Sequence, residues 1–329
     1  MRWPRRCSRR IAKHFWAMRS ALVTGGQGFI GRHLVKALRQ RGVQVTSVGR
    51  RPSVDAGHID TGHIVVEEES WGTPVLDRVL QEVAPDCVFH LAGRARGTPA
   101  ELIGANLGLL QGLLQSLRRT ALQPQLVIAG SAAEYGSSIR DGEPIRETLT
   151  CAPLSPYGAS KQAQTRAALA YADATGTSVL VARIFNAVGP NMPVHLAIGD
   201  FARQIAAMPR SHGTLRVGNI DVRRDMIDVE HIGTLLWELA ENPDAHGVVN
   251  VCSGRAPPLR DLVEMLIAGC GRKVDIEVDW ARVRGNEPRT IVGSIELLVG
   301  LGCPPPPTDF PALMARVRRA MEESAALTS

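Results

Sequence analysis

In Tyr157-Gly158-Ala159-Ser160-Lys161 a phenol and an ammonium stand four residues apart, a spacing that puts them on one helix face about one turn from each other. A free phenol has a pKa near 10, so only about one in a thousand is ionised at pH 7 and it exchanges protons poorly. An ammonium one turn away favours the phenolate and draws the phenol toward the range in which general acid/base catalysis works. The chain holds 4 Lys against 34 Arg, and 3 Tyr, so an accidental pairing of these types is rare. Upstream, Leu126 to Ala129 reads as a strand that runs into Gly130-Ser131-Ala132-Ala133-Glu134-Tyr135-Gly136. A serine just past a strand's carboxyl end can hydrogen-bond a substrate oxygen near Tyr157; the plainer alternative is a serine that caps a turn.

A second pattern could hold a phosphate. Thr24-Gly25-Gly26-Gln27-Gly28-Phe29-Ile30-Gly31 follows an apolar strand and opens a helical period, the context in which a GxxGxxG turn is informative. Gly25 can supply the tight turn, Gly28 lets backbone N–H groups approach a pyrophosphate at the positive helix end, and Gly31 lets helix and strand pack closely. About 20 residues on, where NAD binders carry an acid for the ribose hydroxyls, stands Val48-Gly49-Arg50-Arg51. A guanidinium there pairs with a 2′-phosphate, which favours NADPH over NAD, with one of the two arginines expected to face solvent.

The elements that must position these groups alternate along the chain. Ala21 to Thr24, Val43 to Val48, Ile64 to Val66, Asp86 to Leu91, Leu126 to Ala129, Ser178 to Ile184 and Gly247 to Val251 read as strands. Helical periods cover Phe29 to Gln40, Val75 to Val83, Ala105 to Arg118 and Tyr157 to Ala172. Strands alternating with helices predict an α/β fold, a doubly wound parallel (Rossmann) sheet, with a smaller C-terminal lobe over its carboxyl edge. The expected division is a basic tail at 1–17, a dinucleotide-binding domain at 18–188 and a substrate lobe at 189–329, of which 220–251 returns to the sheet. Pro304 to Pro307 reads as a helix stop or surface turn.

Composition narrows the class. The 329 residues are 44% hydrophobic and 21% charged, enough apolar material for a large core and unlike a disordered chain. No apolar run approaches the roughly 20 residues of a membrane span. The net charge of +6 lies wholly in residues 1–17, which carry six basic residues and no acid, so a nucleic-acid partner is not expected. Translation is expected to begin at Met18, which leads directly into the first strand. Six scattered cysteines without CxxC or histidine pairing predict neither disulfide framework nor metal site, and a cytoplasmic protein.

From Ser20 to about Gly302 the chain resembles the extended short-chain dehydrogenase/reductases, the NAD-dependent epimerase/dehydratase group that acts on nucleotide sugars. The resemblance rests on the TGGxGFIG turn, Phe89-His90-Leu91-Ala92-Gly93, Asn106, SAAxYG at 131–136, YxxxK at 157–161 and Arg183-Ile184-Phe185-Asn186-Ala187-Val188-Gly189-Pro190. It implies a catalytic set of Ser131, Tyr157 and Lys161. It also implies a dinucleotide site formed by Gly25, Gly28, Phe29, Ile30, Gly31, Arg50, Arg51, Glu69, Leu91, Ala92, Gly93, Asn106 and Ile184 together with Tyr157 and Lys161. Asn186 is similar to a substrate-contacting residue, and Arg224 and Arg284 to the pair that clamps the sugar nucleotide's diphosphate, a task suited to guanidinium forks. A homodimer is implied as well.

Departures from the family pattern sort the reactions. Dehydratases of the family carry a carboxylate two residues before the tyrosine of SxxxYG; here that position is Ala133, and strand-like alternation turns Glu134 to the other side. Ile198 to Ala206 and Arg284 to Ser294 are similar to GDP-4-keto-6-deoxy-mannose reductases and related 4-ketoreductases, although Cys303 stands where that subgroup usually has tryptophan. The expected activity is NADPH-dependent reduction of the C4 ketone of a nucleotide-activated 4-keto-6-deoxyhexose, GDP-linked or dTDP-linked. A 4-epimerase with tightly held NAD and a non-catalytic dinucleotide sensor are the alternatives.

Overall fold

The structure is a computed structural model that describes residues 18–50, 54–55, 58–59, 62–209, 211–283 and 288–328. The basic tail, Arg51 and Arg284 lie outside these residues.

Short apolar runs become strands and amphipathic periods become helices in this order: β1 (Ser20–Thr24), α1 (Phe29–Gln40), β2 (Gln44–Gly49), β3 (His63–Val65), α2 (Pro74–Val83), β4 (Cys87–His90), α3 (Leu109–Thr120), β5 (Gln125–Ser131), α4 (Pro156–Thr175), β6 (Val179–Ile184), α5 (Ala197–Ala207), α6 (Val229–Glu241), β7 (Gly247–Val251), α7 (Leu259–Ile267) and α8 (Phe310–Thr328). The seven strands form one sheet in the order β7-β6-β5-β4-β1-β2-β3. Every pair is parallel, with Ala21 opposite both Val45 and Cys87. Parallel strands need crossovers, and the helices supply them on both faces. Alternate residues of β1 therefore enter different cores. Ala21 and Val23 join Leu34 and Leu38 of α1 and Leu235 and Leu239 of α6, whereas Leu22 joins Leu76 of α2, Leu110 of α3 and Tyr171 of α4. The fold is α/β and doubly wound.

Strand order reverses between β1 and β4, so the loops after those two strands diverge and open a crevice at the sheet's carboxyl edge. A second apolar cluster sits over that edge, built from α5, α7, α8 and the strand His212–Val217, which pairs in parallel with Lys273–Val278. The chain passes from one core to the other between Met226, packed in this lobe, and Ile227, packed against the sheet. Ile220 and Val222, expected on the returning segment, belong to the lobe. Leu298 and Cys303 also pack on the sheet side. Ahead of α3, the expected helix from Ala105 is present but begins earlier, at Pro99, and widens into a π turn over Gly104–Gly108. No helix among the described residues is long and apolar enough to cross a membrane.

Candidate active site

The turn after β1 is held open by what it lacks. Gly25 adopts φ +70, and a Cβ on Gly31 would lie 2.1 Å from the Gly25 carbonyl oxygen, so α1 can approach the turn only with glycine there. Gly28 caps α1 without a side-chain hydrogen bond, and no acidic residue stands in the first turn. The first N–H groups of the helix therefore keep room and positive polarity for an anion. They border a cleft of about 330 Å3 lined by Gly25, Gly28, Val48, Arg50, Ala92 and Gly93 among others. Its size, glycine floor and uncapped helix end fit the adenosine diphosphate half of a dinucleotide.

The cleft corrects one expectation and modifies others. Glu69 is exposed and turned away; its neighbour Glu68 lines the cleft instead, because the short 3-10 turn at Glu68–Ser70 rotates successive side chains apart. Glu68 Oε1 lies 2.7 Å from Arg50 Nη1 and 3.9 Å from Arg94 Nη2. Asn106 is buried, accepts from the Arg94 N–H and donates to the Arg94 carbonyl and the Ser160 hydroxyl. It thereby shapes the wall of the cleft through the protein rather than by facing it. Leu91 lies on the cleft, Ile30 packs on the α1 side of the sheet core, Phe29 packs against the lobe, and Ile184 is buried at the end of β6.

Ser131, Tyr157 and Lys161 come together from the end of β5 and the first turns of α4. Ser155 caps α4 by accepting the Gly158 N–H at 3.0 Å, and Pro156 fills the first helical position. A Cβ on Gly158 would meet the Ala133 carbonyl at 2.5 Å, so this glycine lets the helix close on the turn that follows Ser131. The Ser131 hydroxyl accepts the Ala133 N–H at 3.2 Å, capping the turn that follows, and lies near enough to the Tyr157 phenol to favour its ionised form. Burial raises the Tyr157 pKa, the bond from Ser131 offsets part of the rise, and the charge of Glu134 adds to it. Lys161 Nζ, one turn along the same helix, is buried and donates to Gln164 Oε1 at 2.6 Å. Burial lowers the Lys161 pKa to about 8, with Glu134 pulling the other way.

Glu134 turns to the other side as expected, but by a different backbone route. The chain after Ser131 turns into a 3-10 helix instead of continuing as a strand, and the Glu134 side chain folds back beneath the site with no exposed surface. It bonds the Ser131 N–H at 2.9 Å, Thr165 Oγ1 at 2.9 Å and Arg183 Nε at 3.0 Å.

On the lobe side, Asn186 donates its side-chain N–H to the Asp225 carbonyl at 2.8 Å, beside the turn that carries Arg224. Arg224 Nη1 donates to the carbonyls of Arg223, Pro288 and Arg289. The Asp225 carboxylate accepts from Ser253 and from the Gly254 and Gly293 N–H groups, joining three segments at this corner.

Several groups escaped sequence reasoning. Gln164 stands three residues after Lys161 on the same face, a spacing that could have revealed it. His90, within a quoted motif, bonds Thr24 Oγ1 at 2.9 Å, and burial together with the Lys161 charge lowers its pKa to about 3, keeping it neutral. Trp71, Arg94 and Asp225 carry no sequence signal of their own. Among the described residues no acidic, histidine or cysteine cluster could hold a metal ion.

Comparison with known proteins agrees with this geometry. The model of the NAD dependent epimerase/dehydratase family matches residues 21–252. The chain is similar to a GDP-6-deoxy-D-mannose reductase of Pseudomonas aeruginosa, 33% identical over 279 residues that cover 83% of this chain and 87% of the relative. It is also similar to a dTDP-6-deoxy-L-talose 4-dehydrogenase (NAD(P)(+)) of Kitasatospora kifunensis, 32% identical over 258 residues, 77% of this chain and 80% of the relative. The solved structure of RMD from Pseudomonas aeruginosa complexed with NADPH superposes with a TM-score of 0.78 at 29% identity, covering 93% of this chain and all of that one. With a doubly wound sheet, a glycine turn after its first strand and a family match over residues 21–252, the chain belongs to the NAD-dependent epimerase/dehydratase family, the extended short-chain dehydrogenase/reductases.

Proposed function

We propose that this protein reduces the C4 ketone of a nucleotide-activated 4-keto-6-deoxyhexose with NADPH, a GDP-linked sugar being favoured over a dTDP-linked one. The observation that carries this reading is the withdrawal of Glu134. The single carboxylate of the SAAEYG segment is buried on Arg183, and Ala133 stands where elimination needs an acid. What faces the substrate is a proton donor and a hydroxyl, the equipment of carbonyl reduction. The similarity to a GDP-6-deoxy-D-mannose reductase supports the same choice.

When bound, the nicotinamide supplies the hydride. Ser131 donates a hydrogen bond to the ketone oxygen and polarises it, and Tyr157 delivers the proton that oxygen needs. Lys161 stabilises the phenolate left behind and holds the cofactor ribose. Arg224 and Arg284 anchor the diphosphate, so that binding energy far from C4 orients the reacting carbonyl.

A second reading, a nucleotide-sugar 4-epimerase that retains NAD, draws on the ion pair between Arg50 and Glu68. A carboxylate at that wall can accept from ribose hydroxyls, and it occupies the arginine a 2′-phosphate would use. The nicotinamide content of freshly purified, denatured protein, followed by titration of the emptied protein with NADPH and NADH, separates the two. The reductase reading expects an empty protein that binds NADPH at least about tenfold better, or 1.4 kcal/mol. Near-stoichiometric NAD overturns it in favour of the epimerase.

A further inference from the structure

Glu134 has no part in the proton transfer just described, yet it is the best-connected side chain beneath the catalytic groups. Its Oε1 accepts the backbone N–H of Ser131 at 2.9 Å. Its Oε2 accepts Thr165 Oγ1 of α4 at 2.9 Å and Arg183 Nε of β6 at 3.0 Å. Thr165 lies one turn beyond Lys161, so a single carboxylate ties the serine-bearing strand to the helix of Tyr157 and Lys161. Both partners of the ion pair are buried, with side chains 0% and 7% exposed. A pair in that position costs more desolvation than its attraction alone returns, unless it is fully hydrogen-bonded, and apolar residues would serve stability as well. The Arg183 guanidinium lies 4.7 Å over the Tyr135 ring, and the Tyr135 hydroxyl donates to Asn250 Oδ1 at 2.6 Å, so the arrangement is braced as far as β7.

We propose that Glu134, braced by Arg183, is the positioning residue of the catalytic set: it fixes the backbone at Ser131 against α4 and so sets how the serine hydroxyl meets the Tyr157 phenol. This rests on the Ser-Tyr-Lys reading above. The charged groups around the centre are Lys161 on α4, Arg183 on β6 and Glu147 on the segment before α4. The titratable neutral groups are His90 on β4, Tyr135 after β5 and Cys151 before α4. Of these, the Glu134 charge raises the Tyr157 pKa, in opposition to the effect of Ser131.

The test uses the full chain and needs no substrate. The sequence holds three tyrosines, Tyr135, Tyr157 and Tyr171, so ultraviolet titration of phenolate formation, with the Tyr157→Phe protein subtracted, isolates Tyr157. Glu134→Gln keeps an oxygen for the Ser131 N–H but removes the negative charge, and Tyr157 is expected to titrate about one pH unit lower. Thr165→Val leaves the ion pair and cuts the tie to α4; the Ser131 bond loosens and Tyr157 is expected to titrate higher. A merely structural role would lower the melting temperature of both variants without moving the titration. Folded variants in which Tyr157 titrates as in the parent overturn the proposal, and if Glu134→Gln does not fold, Thr165→Val decides by the same criterion. Failure of the parent to reduce any 4-keto nucleotide sugar would count against the reductase reading alone.

Discussion

Glu68 holds Arg50 in a 2.7 Å ion pair at the wall of the cleft below the glycine turn. A 2′-phosphate must compete with that carboxylate for the same guanidinium. Both side chains are more than a third exposed, so the pair itself adds little stability and can be exchanged at low cost. Glu68→Gln is therefore expected to strengthen NADPH binding roughly tenfold, about 1.4 kcal/mol, and to leave NADH within twofold. Arg50→Ala is expected to weaken NADPH alone by a similar factor. Fluorescence titration of the emptied protein measures both, and an unchanged NADPH affinity in the two variants would show that Arg50 does not read the phosphate.

Removing the Tyr157 hydroxyl separates chemistry from binding. Tyr157→Phe is expected to lower kcat by about three orders of magnitude, in the range of a lost general acid. Tyr157 is not among the residues that line the cleft at the glycine turn, so NADPH affinity should stay within twofold. Single-turnover kinetics beside equilibrium titration test this; a parallel loss of both would mark Tyr157 as a structural residue.

Lys161 makes stability depend on pH in a definite direction. Its folded pKa of about 8 lies below the ordinary 10.5 because burial penalises the ammonium. Below pH 8 both states carry the proton and the folded protein bears the full desolvation cost. Between pH 8 and 10.5 the unfolded chain keeps the proton that the folded protein has released, so stability rises with pH through that window. Relative to Lys161→Met, the cofactor-free parent is expected to gain up to about 3 kcal/mol from pH 8 to 10.5. Urea unfolding of both proteins across that range checks it, and parallel curves would contradict the buried ammonium.

The glycine turn gives a steric prediction. Gly31→Ala places a methyl 2.1 Å from the Gly25 carbonyl oxygen, a separation that forces α1 away from the turn. The expected cost is about 1–3 kcal/mol with loss of cofactor binding. Gly300→Ala, whose added Cβ meets nothing within 4 Å, should leave both unchanged. Calorimetry on the two variants distinguishes a close-packed turn from a generally fragile fold.

How far the sequence reaches depends on the range of the interactions involved. The order of strands and helices, the glycine turn and the pairing of Tyr157 with Lys161 were legible because each arises from residues near one another along the chain: apolar periods, missing side chains, a four-residue helical spacing. The bounds of α1 and β7 fall where the pattern put them, since capping and breaker residues mark them locally. What only the tertiary structure decided involves contacts between distant segments. Whether Glu68 or Glu69 lines the dinucleotide cleft turns on one short 3-10 turn, and a shift of one residue there exchanges cleft for solvent. Alternation assumed extended backbone and turned Glu134 to the other side; the turn after Ser131 is what carries it there, onto Arg183, 49 residues away. The pairing of Lys161 with Tyr157 was legible along the helix, but the burial of Lys161 and its bond to Gln164 were not, because desolvation depends on everything packed around the ammonium. Local pattern thus determined which groups could do chemistry, and packing between remote segments decided their charge, direction and partners.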